Sequence, residues 1–103
     1  KDAGLFIIGG TLTPSGGSSL PGYHGAIAES KRQKINAWIR NSGAYDAVID
    51  FDAALADPEN PALMRADLSA DGLHPNAKGY QVMANTALFV LNKMLPNKRR
   101  EIE

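Results

Sequence analysis

The sequence predicts an α/β fold built on a parallel sheet, and three observations carry that reading. Leu5-Phe6-Ile7-Ile8 is an apolar run without alternation, the pattern of a strand buried on both faces. A second such run is Ala47-Val48-Ile49-Asp50-Phe51. An amphipathic helical stretch lies between the two, which implies a right-handed parallel crossover. A length of 103 residues, 44% apolar and 21% charged, suits one globular domain with a modest core.

Gly9-Gly10 ends the first run. Thr11 to Gly25, rich in Gly, Ser, Pro and Thr, reads as a long loop of the kind that is functional or mobile. The helix spans about Ile27 to Arg40, with Ile27, Ile35, Trp38 and Ile39 on its inner face. Glu29, Lys31, Arg32, Lys34 and Arg40 are expected in water, and Gly43 is placed to end the helix at C′. After the second strand, Asp52 to Ala70 is irregular, carries Pro58 and Pro61, and has room for one helical turn. Asn76 is the N-cap of a closing helix that starts near Ala77. There Tyr80, Met83, Ala84, Ala87, Leu88, Leu91 and Leu95 recur at helical spacing, and Pro96 stops the helix. Two strands alone leave their outer edges unpaired. The chain also reaches a core-like strand within a few residues of Lys1. Both features predict further strands on a preceding segment or on another chain.

Eleven basic and eleven acidic side chains cancel. That balance points away from nucleic acid or an anionic membrane surface as a partner. Lys98-Arg99-Arg100 is followed at once by Glu101 and Glu103 and reads as a solvated tail. Without cysteine there is neither a disulfide framework nor a thiolate metal site. No apolar stretch is long enough for a membrane span. Gly16-Gly17 stands in neither phosphate-loop pattern, so a nucleotide cofactor is not expected. Asp50, Asp52, Asp71 and His74 are an oxygen-rich set, but strand alternation sends Asp50 and Asp52 to opposite sides. Those two are better suited to capping loops at the strand end.

The chemistry concentrates in Asp71-Gly72-Leu73-His74-Pro75-Asn76. In open parallel sheets, sites lie beyond the carboxyl ends of the strands, and both long loops leave from such ends. A carboxylate three positions before an imidazole can hold the ring by its Nδ1–H. Nε2 is then left to take a proton from a nucleophile, as in the His–Asp half of a catalytic triad. The alternative is a surface histidine beside a helix N-terminus, with Asp71 only turning the chain. No G-x-S-x-G elbow is present. Ser15, Ser18 and Ser19 lie near a strand end, but glycine neighbours do not give a strained, pre-aimed hydroxyl. His24, beside Tyr23, reads as a loop side chain before it reads as part of a substrate rim. Leu63 and Met64 either line an acyl pocket or cover the core.

The stretch Asp71-Gly72-Leu73-His74-Pro75-Asn76-Ala77-Lys78-Gly79-Tyr80 resembles the last conserved block of the SGNH (GDSL) serine hydrolases. Gly9-Gly10-Thr11-Leu12-Thr13-Pro14 and Val48-Ile49-Asp50-Phe51-Asp52 look like the last two strands of that family's sheet. The resemblance implies a flavodoxin-like three-layer fold with a parallel sheet. Residues 1–103 would be the C-terminal βαβα portion of a single hydrolase domain. It also implies acyl transfer without cofactor or metal, with His74 as general base and Asp71 as its orienting carboxylate. The substrate would be an ester or an acetylated small molecule or carbohydrate. The family's Gly-Asp-Ser nucleophile, and the Gly and Asn of its oxyanion hole, have no counterpart here. An N-terminal fragment of the same hydrolase is therefore the expected partner, and the chain alone is expected to be inactive. The alternative is a non-catalytic α/β binding or interaction module that keeps a hydrolase-like fold. The compartment stays open, although many members are secreted.

Overall fold

The computed structural model describes residues 4–94. Strands β1 (Ile8–Gly10) and β2 (Ala47–Ile49) pair in parallel, Ile8 opposite Ala47 and Gly10 opposite Ile49. Helix α1 (Ala26–Asn41) connects them, so the architecture is α/β as the sequence predicts. The strand starts later than the apolar run that announces it. Leu5 and Phe6, expected in the core, are each 69% exposed, and Ile7 is exposed as well. The reason is pairing: β2 begins opposite Ile8, and an apolar run has a buried face only where neighbours cover it. Beyond that point Asp46 holds Ile7: its N–H donates to the Ile7 carbonyl at 2.8 Å, and its Oδ2 accepts the Ile7 N–H at 2.7 Å. The ring of Tyr45 lies against Gly9, where a Cβ would come within 2.6 Å of it; this close approach is why a strand carries glycine here.

The inner face of α1 is not the apolar stripe that spacing predicts. Its buried residues are Arg32, Asn36 and Ile39, while Ile27, Ile35 and Trp38 are exposed. Arg32, expected in water, is 5% exposed because its guanidinium is fully engaged. It donates to both oxygens of Glu29, to Asp52 Oδ1 at 2.6 Å, and to the carbonyls of Leu12 and Pro61. Burying a charge is costly unless it is paired and hydrogen-bonded, and here it is both. Arg40 likewise forks onto Asp50 and reaches Asp52 Oδ2 at 2.8 Å. The helix ends as predicted, with Gly43 at φ 76° just past Ser42.

β2 stops at Ile49, short of the expected Phe51. Asp50 instead caps helix α2 (Phe51–Leu55), accepting the Ala53 N–H at 3.1 Å. The stretch expected to be irregular then forms an antiparallel pair, β3 (Ala56–Asp57) with β4 (Asn60–Met64). Asp57 accepts the Glu59 N–H at 2.9 Å and so makes the turn between them. A 3-10 turn (Ala66–Leu68) leads to the site loop and to helix α3 (Ala77–Met94), capped by Asn76 Oδ1 on Gly79 N–H at 2.8 Å. Val82 and Met83 of α3 pack on Leu55, Met64 and Leu68. Tyr80, Leu88 and Leu91 of the predicted stripe, with Phe89, are exposed. Leu95, Pro96, the Lys98-Arg99-Arg100 run and Lys1 lie outside the described residues. The radius of gyration, 15.5 Å, exceeds the roughly 13 Å of a compact 100-residue domain.

Candidate active site

Asp71 and His74 are brought together within one turn. Asp71 Oδ1 accepts the backbone N–H groups of Leu73 at 2.9 Å and His74 at 2.8 Å. Its other oxygen, Oδ2, stands 2.7 Å from His74 Nδ1. One carboxylate oxygen thus folds the turn and the other holds the ring. Gly72 takes φ +76° between them, a conformation that a side chain resists. The turn is anchored at its far end by Asn76, whose N–H donates to Leu68 O at 2.8 Å and whose Nδ2 donates to Asp67 O at 3.0 Å.

The electrostatics follow from those bonds. The hydrogen bond from the His74 ring, then those from the His74 and Leu73 backbone, hold the Asp71 carboxyl well below the usual carboxylate range. An ionised carboxylate only accepts, so the proton is assigned to His74 Nδ1. Nε2 makes no hydrogen bond among the described residues, and the His74 side chain is 69% exposed. The arrangement offers a basic nitrogen with a fixed tautomer to whatever approaches from outside.

The loop after β1 closes on this turn from the side. Its Gly16 N–H donates to Ala62 O at 2.8 Å, and Gly17 lies against Gly72. Asn36, fully buried, grips both backbone groups of Leu12: Leu12 N–H to Oδ1 at 2.7 Å, and Nδ2 to Leu12 O at 2.9 Å. A cleft of about 320 Å³ opens between this loop and α1, lined by Leu12, Tyr23, Ala28, Lys31, Ile35 and Leu73 among others. Leu73 stands between Asp71 and His74 in the chain, so the cleft lies beside the pair.

The other sequence candidates fall elsewhere. Ser15 Oγ donates to Tyr23 O at 2.9 Å, and buried Ser18 accepts the Leu20 N–H at 3.1 Å. Neither these nor Ser19 is hydrogen-bonded to His74 among the described residues. His24 Nδ1 lies 3.0 Å from Leu20 O and serves the loop's own turn. Asp50 and Asp52 face Arg40 and Arg32 rather than Asp71. Among the described residues no group of three or more His, Cys, Asp or Glu could hold a metal ion. Met64 belongs to the core, and Leu63 covers Gly16 and Gly17 rather than lining the cleft. Leu73, Asn36 and Ser69 are the site residues that sequence reasoning passed over. For Ser69 a signal existed, since Ser-x-Asp-Gly is turn chemistry.

Compared with known proteins, residues 1–82 match the model of the GDSL-like lipase/acylhydrolase family. The matched span takes in β1, β2, both long loops and the Asp71–His74 turn. No curated protein matches the chain.

Proposed function

This chain belongs to the GDSL-like lipase/acylhydrolase family, and on that premise we propose that it is the C-terminal portion of a serine ester hydrolase, with His74 as general base and Asp71 as its orienting carboxylate. The observation that carries the reading is the 2.7 Å contact of His74 Nδ1 with Asp71 Oδ2, with Nε2 uncommitted. Nε2 takes the proton of a serine hydroxyl as that oxygen attacks an ester carbonyl. It then returns the proton to the leaving alcohol, and water repeats the sequence on the acyl-enzyme.

The serine and the oxyanion-hole donors are assigned to an N-terminal fragment outside these residues, since no Gly-Asp-Ser segment occurs in the sequence. Residues 1–103 are then the C-terminal part of a single domain, and β1 and β2 belong to a wider, flavodoxin-like parallel sheet. Exposed Leu5 and Phe6 beside β1, and Leu88 and Phe89 on α3, support a covering partner. The substrate is an ester or an acetylated small molecule or carbohydrate, and the largely apolar cleft beside Leu73 supports a site for its carbon skeleton.

An alkyl fluorophosphonate tests the reading, because it labels only activated serines. On the complete protein it should modify one serine outside residues 1–103, and His74→Ala should abolish the labelling. Modification of Ser15, Ser18 or Ser19, located by peptide mass spectrometry, overturns it.

A further inference from the structure

Asp71 and His74 are both largely exposed, at 55% and 69% of their side chains, so packing does not hold them. Their turn is tied to the buried body of the protein by Ser69. That residue is 8% exposed, lies in extended backbone (φ −154°, ψ 135°), and is bridged to Pro75. Its Oγ accepts the Gly72 N–H at 3.0 Å. The same oxygen lies 2.8 Å from the His74 carbonyl and 3.3 Å from Asp71 Oδ1. A hydroxyl has one proton to give, and the shorter contact assigns it to the His74 carbonyl. Asp71 Oδ1 already accepts two backbone N–H groups, so the long contact adds little to it.

We propose that Ser69 is a positioning residue for the hydrolysis: its hydroxyl knots Gly72 to His74 across the turn and so fixes the direction of His74 Nε2. The proposal rests on the reading of His74 as the base. A reacting group must be held within about 0.5 Å of its productive place, and an exposed imidazole on an untied turn would wander further than that. Without the hydroxyl, the half-buried Gly72 N–H and the His74 carbonyl both lose this partner.

The test compares Ser69→Ala, Ser69→Thr and His74→Ala in the complete protein, with p-nitrophenyl acetate as substrate. Ser69→Ala should lose about 10- to 100-fold in kcat with little change in KM, the signature of a displaced group. Ser69→Thr keeps the hydroxyl on an extended backbone that suits a β-branched residue, and should recover most of the loss. In proton NMR the low-field His74 Nδ1–H resonance should persist in wild type and Ser69→Thr. It should broaden or shift in Ser69→Ala, while the backbone amide spectrum stays that of a folded protein. A folded Ser69→Ala with unchanged kcat and an unchanged Nδ1–H overturns the proposal. So does a kcat loss that Ser69→Thr does not restore and that leaves Nδ1–H untouched. Full activity in His74→Ala would instead sink the assignment of the base, and the Nδ1–H resonance would still decide whether Ser69 positions the ring.

Discussion

The backbones of Gly17 and Gly72 touch: a Cβ built on Gly72 would stand 2.6 Å from the Gly17 carbonyl oxygen. Through this contact the loop after β1, which walls the cleft, meets the turn that carries Asp71 and His74. The two glycines are not equivalent. Gly72 holds φ +76°, whereas a Cβ on Gly17 meets nothing closer than 3.5 Å. Gly72→Ala should cost about 1–2 kcal/mol for its backbone conformation alone, with the collision added. Gly17→Ala should be nearly neutral. Thermal denaturation of the two variants checks the difference; equal melting temperatures would contradict the packing described.

Asn36 and Arg32 hold the other end of the same loop. Asn36→Ala leaves the Leu12 N–H without its acceptor and should destabilise by about 1–3 kcal/mol. Arg32→Met should cost about 3 kcal/mol or more, because Asp52, nearly buried, loses the 2.6 Å partner that Arg40 does not replace at Oδ1. Urea unfolding measures both. Values near zero would mean that these buried contacts do not form.

Acid should loosen the molecule in a defined direction. Hydrogen bonds from His74, Arg40 and Arg32, each the largest cause at its site, lower the values of Asp71, Asp50 and Glu29 respectively. A carboxylate whose folded value lies below its unfolded value contributes stability that is fully present above the unfolded value. That contribution drains as pH falls through the folded value. The urea midpoint should therefore hold steady from neutrality down to about pH 5 and fall below about pH 4. A midpoint that rises on acidification would contradict the sign.

Leu73 should set acyl-chain preference if the cleft receives the acyl group. Leu73→Ala should leave p-nitrophenyl acetate kinetics almost unchanged and raise KM for hexanoate. The size is about 0.8 kcal/mol per methylene that loses its cover, or roughly fourfold each. Equal effects on acetate and hexanoate would place the chain elsewhere.

The Asp71–His74 turn was legible because the hydrogen bonds that fold it run among Ser69, Asp71, Gly72, Leu73 and His74, and short-range turn and capping chemistry is written locally; its contact with Gly17 was not. Asn76 as N-cap and Gly43 at C′ were legible for the same reason. Arg32 was not. Its partners Asp52, Leu12 and Pro61 lie 20 to 29 residues away, and a helical wheel sends every charge to water. Ile27, Ile35 and Trp38 failed in the opposite sense, since their spacing marks a face that no described element covers. Leu5 and Phe6 carry the same lesson at the sheet edge, where composition reports what a segment could bury and pairing decides whether it does. Asp50 ended β2 early because a residue that satisfies a helix N–H competes with continued extension.

We propose His74, held by Asp71, as the base of an ester hydrolase whose serine lies outside these residues. The most direct test is the steady-state kinetics of His74→Ala and Asp71→Asn in the complete protein, with melting temperatures measured alongside. Both variants should fold. Asp71→Asn should lose on the order of 10⁴-fold in kcat, and His74→Ala as much or more, with KM little changed. A folded His74→Ala that retains the wild-type kcat would rule out His74 as the base.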